Sequence, residues 1–582
     1  MNPTTETHLL LRAFVDELAR CGMRDACTSP GSRNAPLILA LAGEERLRSH
    51  SHIDERAAGF FALGLAKASG LPVAVTCTSG TAAAELLPAA IEAHEARVPL
   101  LLLTADRPAE LRDVGAGQAI DQLKLYGSAV KWFVEVSPAG AGPAQMRWIR
   151  TLACRAYWTA LEGRPGAVHL NFPLREPLIG SEEPPADDSG RADGAPFVRR
   201  GSGVSATTSD TFKPFMDAIE GARRGVVVAG RYEREAPLGE AASAFAQAAG
   251  WPLLADPMSG ARRGDAAIAH YDALLRTEQL GEELRPDLVL RVGDLPVSKP
   301  LRAWLARLRG VTQIALDPEG AWQDPDAAVS LSLPLAPAET LSALAGFSGR
   351  EAGPQPAEPE WLAAWRAADE RASSAIEGVV AAAGLSEPRI AAELGTLLPA
   401  EATLFVASSM PVRDIETFWP ARPDPPRVLC NRGANGIDGT ISSAFGAAAA
   451  NRGRPTVLLI GDVALAHDIG GLLAARRLGL KLTIVALENG GGGIFDFLEV
   501  ARSPLASAHY EAHVATPAGL DLAAVAALYG LDHESPRDVG GFRESIERAF
   551  ASTRSTIVEV RTERGANVEL HRRVWEAAAS GA

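Results

Sequence analysis

Short apolar runs that alternate with alanine-rich helical stretches constrain the fold of this chain more than any other feature of its sequence. Near the N-terminus, residues 72–77 are typical of a short buried strand, residues 79–96 of a helix, and residues 98–104 of a second strand. A strand, a helix and a strand in this order predict a right-handed crossover and a parallel sheet. The apolar runs are far shorter than the ~20 residues that a membrane-spanning helix needs.

The same alternation returns twice along the 582 residues. The further strand candidates are residues 225–229, 251–255, 288–292 and 311–316, and then 403–407, 456–460, 482–487 and 556–560. Polar stretches rich in Pro, Gly and acidic residues separate these groups. We therefore predict an α/β chain of three doubly wound parallel-sheet domains, at 1–180, 211–349 and 361–582, joined by linkers at 181–210 and 350–360.

The first and the last of these segments contain a similar sequence pattern. Ile53-Asp54 and Ile437-Asp438 each precede a Gly/Ala-rich helical stretch, a break and a strand. The proline that opens the strand lies 19 residues after Ile53 and 18 residues after Ile437. Two related domains that flank a different middle domain would give this pattern. The ordinary recurrence of helix and strand in α/β proteins would also give it, so the pattern leaves both explanations open.

The charge balance and the cysteines limit the partners and the compartment. With 57 Lys and Arg against 71 Asp and Glu, the formal charge of −14 argues against a nucleic-acid partner. The five cysteines, Cys21, Cys27, Cys77, Cys154 and Cys430, form no C-x-x-C pair and predict reduced thiols in a cytoplasmic protein. We also expect no signal peptide, because the N-terminal residues lack a basic stretch followed by a long apolar one.

The strongest chemical signal is Gly461-Asp462 followed by Asn489 after 26 intervening residues. Both polar side chains would lie where buried strands end, at the edge of a parallel sheet where ligands bind. A carboxylate, an amide oxygen and a backbone carbonyl at Gly491 suit Mg²⁺, and the glycines at 490–493 allow a diphosphate to approach closely. Capping of the following helices is the alternative explanation for the two polar side chains.

This motif resembles the metal–diphosphate motif of thiamine diphosphate (ThDP) enzymes. Val463 stands where the family usually has Gly, and Glu488 where it often has a second Asn. Glu55 in SHIDERAAGF occupies the position of the family's glutamate in the other cofactor-binding domain. The resemblance implies that the Glu55 carboxyl group hydrogen-bonds the aminopyrimidine ring of ThDP and promotes its activation.

Four longer segments, at 28–37, 104–122, 408–416 and 431–439, are similar to one branch of this family, the carboligases of menaquinone biosynthesis. The resemblance implies a transferase that decarboxylates 2-oxoglutarate and joins the remaining unit to isochorismate. It also implies pyrimidine-binding, central and diphosphate-binding domains, with ThDP and Mg²⁺, or Mn²⁺ in its place, as cofactors. The expected assembly is a homodimer or homotetramer with its active site at a subunit interface, and no membrane or nucleic-acid partner is expected.

The resemblance also assigns roles to individual residues. Glu55 and Gln118 are the expected catalytic residues. The residues expected to bind substrate are Ser32, Arg33, Arg107, Lys299, Arg413 and Arg432, because arginine forks recognise carboxylates well. The residues expected to bind the cofactor are Glu55, Ser409, Met410, Ile437, Gly461, Asp462, Asn489 and Gly491. For Met410 and Ile437, ordinary packing in the core is the alternative explanation. Of the cofactor-binding residues, Asp462, Asn489 and Gly491 are the expected metal ligands.

The sequence alone leaves open the roles of two further residues and the class of activity. Arg302 is as readily a surface ion-pair residue as a substrate ligand. His467 is expected on a helix face without a catalytic role. The alternative activities are another ThDP-dependent 2-oxoacid decarboxylase or acetohydroxyacid-type synthase, and a non-catalytic relative that binds a ligand. Val463 and Glu488 are the sequence features that favour the non-catalytic alternative.

Overall fold

The computed structural model describes residues 1–137, 140–180, 183–200, 209–233, 238–347, 357–451 and 453–581. Within these ranges the strands form three sheets in which the neighbouring strands run parallel. The predicted α/β class with three parallel sheets is therefore confirmed. The predicted linkers at 181–210 and 350–360 lie partly outside the described residues, and the predicted domain boundaries stay a prediction.

The first sheet has the strand order β2-β1-β3-β4-β6-β5. Its strands are β1 (Asp25–Thr28), β2 (Arg48–Ser51), β3 (Val73–Cys77), β4 (Leu100–Asp106), β5 (Trp132–Glu135) and β6 (Ala167–Pro173). The helices of this segment are α1 (Pro3–Cys21), α2 (Ala35–Ala42), α3 (Glu55–Ser69), α4 (Thr81–Glu85), α5 (Leu87–Ala96) and α6 (Pro143–Leu161). The helix predicted at 79–96 is present as two helices, with Leu86 between α4 and α5.

The middle sheet has the order β11-β10-β9-β7-β8. Its strands are β7 (Gly225–Ala229), β8 (Leu253–Ala255), β9 (Leu288–Val292), β10 (Thr312–Leu316) and β11 (Leu331–Leu333). The helices are α7 (Ser209–Gly221), α8 (Leu238–Ala249), α9 (Tyr271–Leu274), α10 (Glu278–Glu283), α11 (Lys299–Arg307) and α12 (Pro337–Phe347). The four strands predicted here are all present, and three of them, β7, β8 and β9, are buried along their whole length.

The last sheet has the order β13-β12-β14-β15-β17-β16. Its strands are β12 (Thr403–Val406), β13 (Arg427–Cys430), β14 (Thr456–Gly461), β15 (Thr483–Glu488), β16 (Asp532–Glu534) and β17 (Thr556–Arg561). The helices are α13 (Pro359–Ala382), α14 (Glu387–Leu397), α15 (Met410–Phe418), α16 (Thr440–Ala450), α17 (Asp462–His467), α18 (Leu473–Leu478), α19 (Leu522–Tyr529), α20 (Val539–Ala551) and α21 (Arg564–Gly581).

The first and last sheets share one topology. When each sheet is numbered from its own first strand, both have the order 2-1-3-4-6-5, whereas the middle sheet has five strands in a different arrangement. This agreement supports the explanation that the first and last segments contain related domains, which produce the similar sequence pattern and flank a different middle domain.

The chain divides into two compact units. The first unit comprises Met1–Gly203, Asn431–Gly453 and His467–Leu482, and the second comprises Val204–Cys430, Arg454–Ala466 and Thr483–Ala582. The five cysteines are buried, and none of them forms a disulfide. Each described helix is too short or too polar to cross a lipid bilayer.

Within the first unit, α3 and α16 pack with their backbones in close contact. A Cβ atom on Gly64 of α3 would lie 1.9 Å from the Ser443 carbonyl oxygen, and one on Gly446 of α16 would lie 2.1 Å from the Phe61 carbonyl oxygen. The Ser443 hydroxyl also donates a hydrogen bond to the Phe60 carbonyl at 3.0 Å. Only glycine permits such an approach, and it fixes the start of α3 relative to the loop that precedes α16.

Candidate active site

Glu55 is the first residue of α3 and is half-buried. Asp54 caps the helix, since its carboxylate accepts a hydrogen bond from the Ala57 amide at 3.0 Å. Burial raises the pKa of Glu55 above its ordinary value, and the nearby carboxylates of Asp54 and Glu85 raise it further. A raised pKa keeps more of the carboxyl group protonated, and only the protonated form donates a hydrogen bond. The surroundings of Glu55 therefore suit a donor to a ring nitrogen.

Arg33 and Arg107 bring two positive charges together in the same unit. Arg33 is buried and donates to the Leu174 carbonyl and to the Glu176 carboxylate, both at 2.9 Å. Its Nε atom is buried without a hydrogen-bond partner among the described residues. Burial lowers the pKa of Arg107, and the positive charge of Arg33 lowers it further. The carboxylates of Glu176 and Asp106 act in the opposite direction and offset part of this repulsion. An anionic ligand beside the two guanidinium groups would be stabilised by both.

Gln118 is linked to Arg107 through Ser79. The Gln118 side-chain amide donates to the Ser79 carbonyl at 3.0 Å, and the Ser79 hydroxyl donates to the Gln118 carbonyl at 2.9 Å. The Arg107 guanidinium donates to the same hydroxyl. Gln118 has a left-handed backbone with a φ of 59°, which this double contact holds in place. Ser32 is exposed on the turn beside Arg33.

The loop that carries Arg432 and Ile437 is anchored to α5. The Glu92 carboxylate accepts hydrogen bonds from the backbone amides of Gly433 at 2.9 Å and Ala434 at 2.7 Å. Glu92 is itself buried, so the amides satisfy a charge that would otherwise be costly. Sequence reasoning missed both Glu92 and Ser79, because neither belongs to a spacing pattern that predicts its contact.

Asp462 and Gly491 meet at the carboxyl ends of β14 and β15, which are neighbours in the last sheet. Asp462 is 5% exposed and opens α17. Its carboxylate accepts from the Gly491 amide and from the Val463 amide, each at 2.8 Å. Burial raises the pKa of Asp462 to about 6. A cation beside this carboxylate would offset the cost of burying its charge.

Asn489 follows β15 and presents an unpaired oxygen. Its Nδ2 donates to the Glu387 carboxylate at 2.9 Å, whereas its Oδ1 is buried without a hydrogen-bond partner among the described residues. Leaving a buried acceptor unpaired costs about 1–3 kcal/mol. Amide oxygens such as Asn489 Oδ1 and carboxylate oxygens such as those of Asp462 are ligands that Mg²⁺ and Mn²⁺ bind. The residues present therefore fit the predicted metal.

Of the other predicted residues of the second unit, Gly461 ends β14, and the remaining four lie just before a helix or in its first turn. Ser409, with a φ of 76°, precedes α15, and Met410 is buried as its first residue. The Arg413 guanidinium donates to the Ser409 carbonyl. Lys299 is exposed as the first residue of α11. Arg302, on the same helix, has a buried Nε without a hydrogen-bond partner in the described part of the chain.

The predicted site residues are divided between the two units. The first unit holds Ser32, Arg33, Glu55, Arg107, Gln118, Arg432 and Ile437, and the second holds Lys299, Ser409, Met410, Arg413, Gly461, Asp462, Asn489 and Gly491. His467 ends α17, as the helical prediction required, and its carbonyl accepts a hydrogen bond from Arg56 at 3.3 Å.

Three family descriptions match successive parts of the chain. Residues 10–125 match the N-terminal TPP binding domain of thiamine pyrophosphate enzymes, residues 205–406 their middle domain, and residues 412–560 their C-terminal TPP binding domain. Thiamine pyrophosphate (TPP) is another name for ThDP. The fold and these matches define the class of the protein as a ThDP-dependent enzyme.

Curated relatives define the family more closely. A protein of Geobacillus kaustophilus is 44% identical over 97% of this chain and 96% of its own length. A protein of Bacillus velezensis is 40% identical over 99% of this chain and 98% of its own. One from Listeria innocua is 39% identical over 97% and 96%. All three are named 2-succinyl-5-enolpyruvyl-6-hydroxy-3-cyclohexene-1-carboxylate (SEPHCHC) synthase, and the chain belongs to this family.

Proposed function

We propose that this chain decarboxylates 2-oxoglutarate and adds the remaining four-carbon unit to isochorismate, which gives SEPHCHC and carbon dioxide in menaquinone biosynthesis. The observation that carries the proposal is the similarity to SEPHCHC synthases over nearly the whole chain. Both proposed substrates are dianions, and the paired guanidinium groups of Arg33 and Arg107 suit their carboxylates.

The chain's own residues would bind, orient and exchange protons around the cofactor. Bound ThDP would supply the carbon nucleophile and the electron sink for decarboxylation. Glu55 would hold the proton that it shares with the pyrimidine ring, and Gln118 would orient the second substrate. The proposed metal ligands are Asp462, Asn489 and Gly491. The proposed carboxylate-binding residues are Ser32, Arg33, Arg107, Lys299, Arg413 and Arg432. Binding by several fixed cations would align the two substrates.

The assembly and the compartment are part of the same proposal. By its resemblance to the family, the active form would be a homodimer or homotetramer, and light scattering on the purified holoenzyme distinguishes the two. The five buried cysteines, none of which forms a disulfide, support a reducing, cytoplasmic compartment.

Carbon dioxide release from 2-oxoglutarate tests the proposal, measured with ThDP and Mg²⁺ in the presence and absence of isochorismate. Release coupled to isochorismate consumption is the expected result. Release that leaves isochorismate unconsumed would instead indicate a 2-oxoacid decarboxylase. No release under either condition would contradict catalysis by this chain and favour a ligand-binding relative.

Arg107→Gln should raise the KM for a dianionic substrate while ThDP affinity stays unchanged. Hydrogen bonds to charged groups contribute about 1.5–3 kcal/mol, so kcat/KM should fall about 10–100-fold. Arg175→Gln is the matched control, because Arg175 forms an exposed ion pair with Glu110 and should have little effect. Steady-state kinetics with calorimetry of ThDP binding separate the two effects. Equal losses in both variants would argue against substrate binding by Arg107.

A further inference from the structure

Glu387 contacts the proposed metal ligand Asn489 from a distant part of the chain. It is the first residue of α14 and is 2% exposed. One oxygen of its carboxyl group, Oε1, accepts hydrogen bonds from Asn489 Nδ2 at 2.9 Å and from the Thr562 hydroxyl at 3.0 Å. A buried side chain that contacts a metal ligand, but lies outside the metal motif, has the placement of an outer support.

This contact determines which end of the Asn489 amide faces the metal side. A carboxamide has a donor end and an acceptor end, and the hydrogen-bond network decides between the two orientations. Because Glu387 Oε1 already accepts from Thr562, it presents an acceptor to Asn489. The Asn489 NH₂ group must therefore face Glu387, and Oδ1 points away from it. That Oδ1 atom is the buried oxygen without a hydrogen-bond partner in the described part of the chain.

The elements around this contact hold it rigidly. The Thr562 backbone amide donates to the Glu488 carbonyl at 2.9 Å, directly beyond the last paired residues of β15 and β17. A Cβ atom on Gly493 would lie 3.0 Å from Asn489 Nδ2, so this glycine leaves room for the amide in its observed orientation. The ends of two adjacent strands and the start of α14 thus converge on one side chain.

We propose that Glu387, itself oriented by Thr562, is a positioning residue that fixes the Asn489 amide with its oxygen towards the divalent cation. The inference rests on the proposed metal-dependent function and adds a residue to it. Groups that orient a metal ligand in this way typically change metal affinity about 10–100-fold when they are removed.

Binding of Mn²⁺ to the full chain at saturating ThDP tests the proposal without turnover, with free Mn²⁺ followed by electron paramagnetic resonance. Glu387→Leu should weaken Mn²⁺ binding about 10–100-fold. Glu387→Gln keeps an acceptor oxygen at the same place and should restore most of the affinity. Glu393→Gln, on the same helix but paired with Arg389 and Arg543, is the control and should bind as the unchanged protein does.

Thr562→Val removes only the hydroxyl group and keeps the inference testable if Glu387→Leu does not fold. It should weaken Mn²⁺ binding in the same direction, by a smaller factor. A folded Glu387→Leu or Thr562→Val variant with unchanged Mn²⁺ affinity would overturn the inference. Asn489→Leu separates this result from a failure of the proposed function. If Asn489→Leu also binds Mn²⁺ normally, the proposed metal site itself is wrong, and the role of Glu387 falls with it.

Discussion

Glu55→Gln should keep ThDP affinity and lose most of the turnover. The glutamine side chain has nearly the same shape and can still hydrogen-bond a ring nitrogen, but it cannot exchange a proton with it. Proton transfer by a positioned side chain contributes about 10²–10⁴-fold to rate, and we expect a loss of that size in kcat. Calorimetry of ThDP binding and the rate of isochorismate consumption at saturating substrate measure the two quantities.

Glu85→Gln is the matched control for this experiment. Glu85 is exposed, and its negative charge is one cause of the raised pKa of Glu55. The control should keep most of the activity, because Glu85 itself exchanges no proton with the cofactor. Near wild-type turnover in Glu55→Gln would contradict the assigned role.

The pH profile gives a separate check on Glu55. Its protonated form is the active one in the proposed role, so the rate should fall as the pH rises through its pKa. Removing the Glu85 charge lowers the pKa of Glu55, since a neighbouring negative charge favours the neutral carboxyl group. The alkaline limb of the Glu85→Gln profile should therefore move to lower pH, whereas a limb that stays in place would argue that another group titrates.

The sequence was most informative where strands are buried on both faces. In β9 and β14 the apolar run alone indicates the strand, because burial selects the residues directly. The strands β2 and β16 have the sequences RSHS and DHE and are edge strands of their sheets, so they were not predictable. These segments form strands because they hydrogen-bond to a neighbouring strand, and their own sequences have no alternating pattern that would predict this pairing.

Some residues of the candidate site could likewise be predicted from the sequence, and others could not. Asp462 and Asn489 were predictable because they directly follow buried strands, whose ends meet at one edge of a parallel sheet. Glu387 was not, because it lies 102 residues from Asn489 and only a side-chain contact connects the two residues. The close packing of Gly64 against Ser443, which places α16 in the first unit, likewise depends on a contact between distant segments.

Asp462→Ala should weaken Mg²⁺ and ThDP binding together. The substitution removes the charged member of the proposed ligand set, so the loss in metal affinity should exceed the ~100-fold upper range for an outer contact. It also removes the acceptor of the Gly491 amide and loosens the glycine loop. ThDP affinity should fall with it, because the cation would bridge the protein and the cofactor diphosphate. Calorimetry with each component at saturating concentration of the other measures both losses.

The Asp462→Asn variant and the pH dependence of metal binding test whether the negative charge of Asp462 is what the metal requires. The asparagine keeps an oxygen that can accept from the Gly491 amide, but it carries no charge. We therefore expect the Asp462→Asn variant to bind metal weakly, and this result would show that the oxygen must be charged. In the unchanged protein, Asp462 has a pKa of about 6, and its protonated form is a poor metal ligand. Mg²⁺ affinity should therefore fall as the pH drops below about 6, and Asp462→Asn should lose this dependence. Unchanged ThDP and Mg²⁺ affinity in Asp462→Ala would contradict the metal site, because Asp462 is the only charged member of the proposed ligand set.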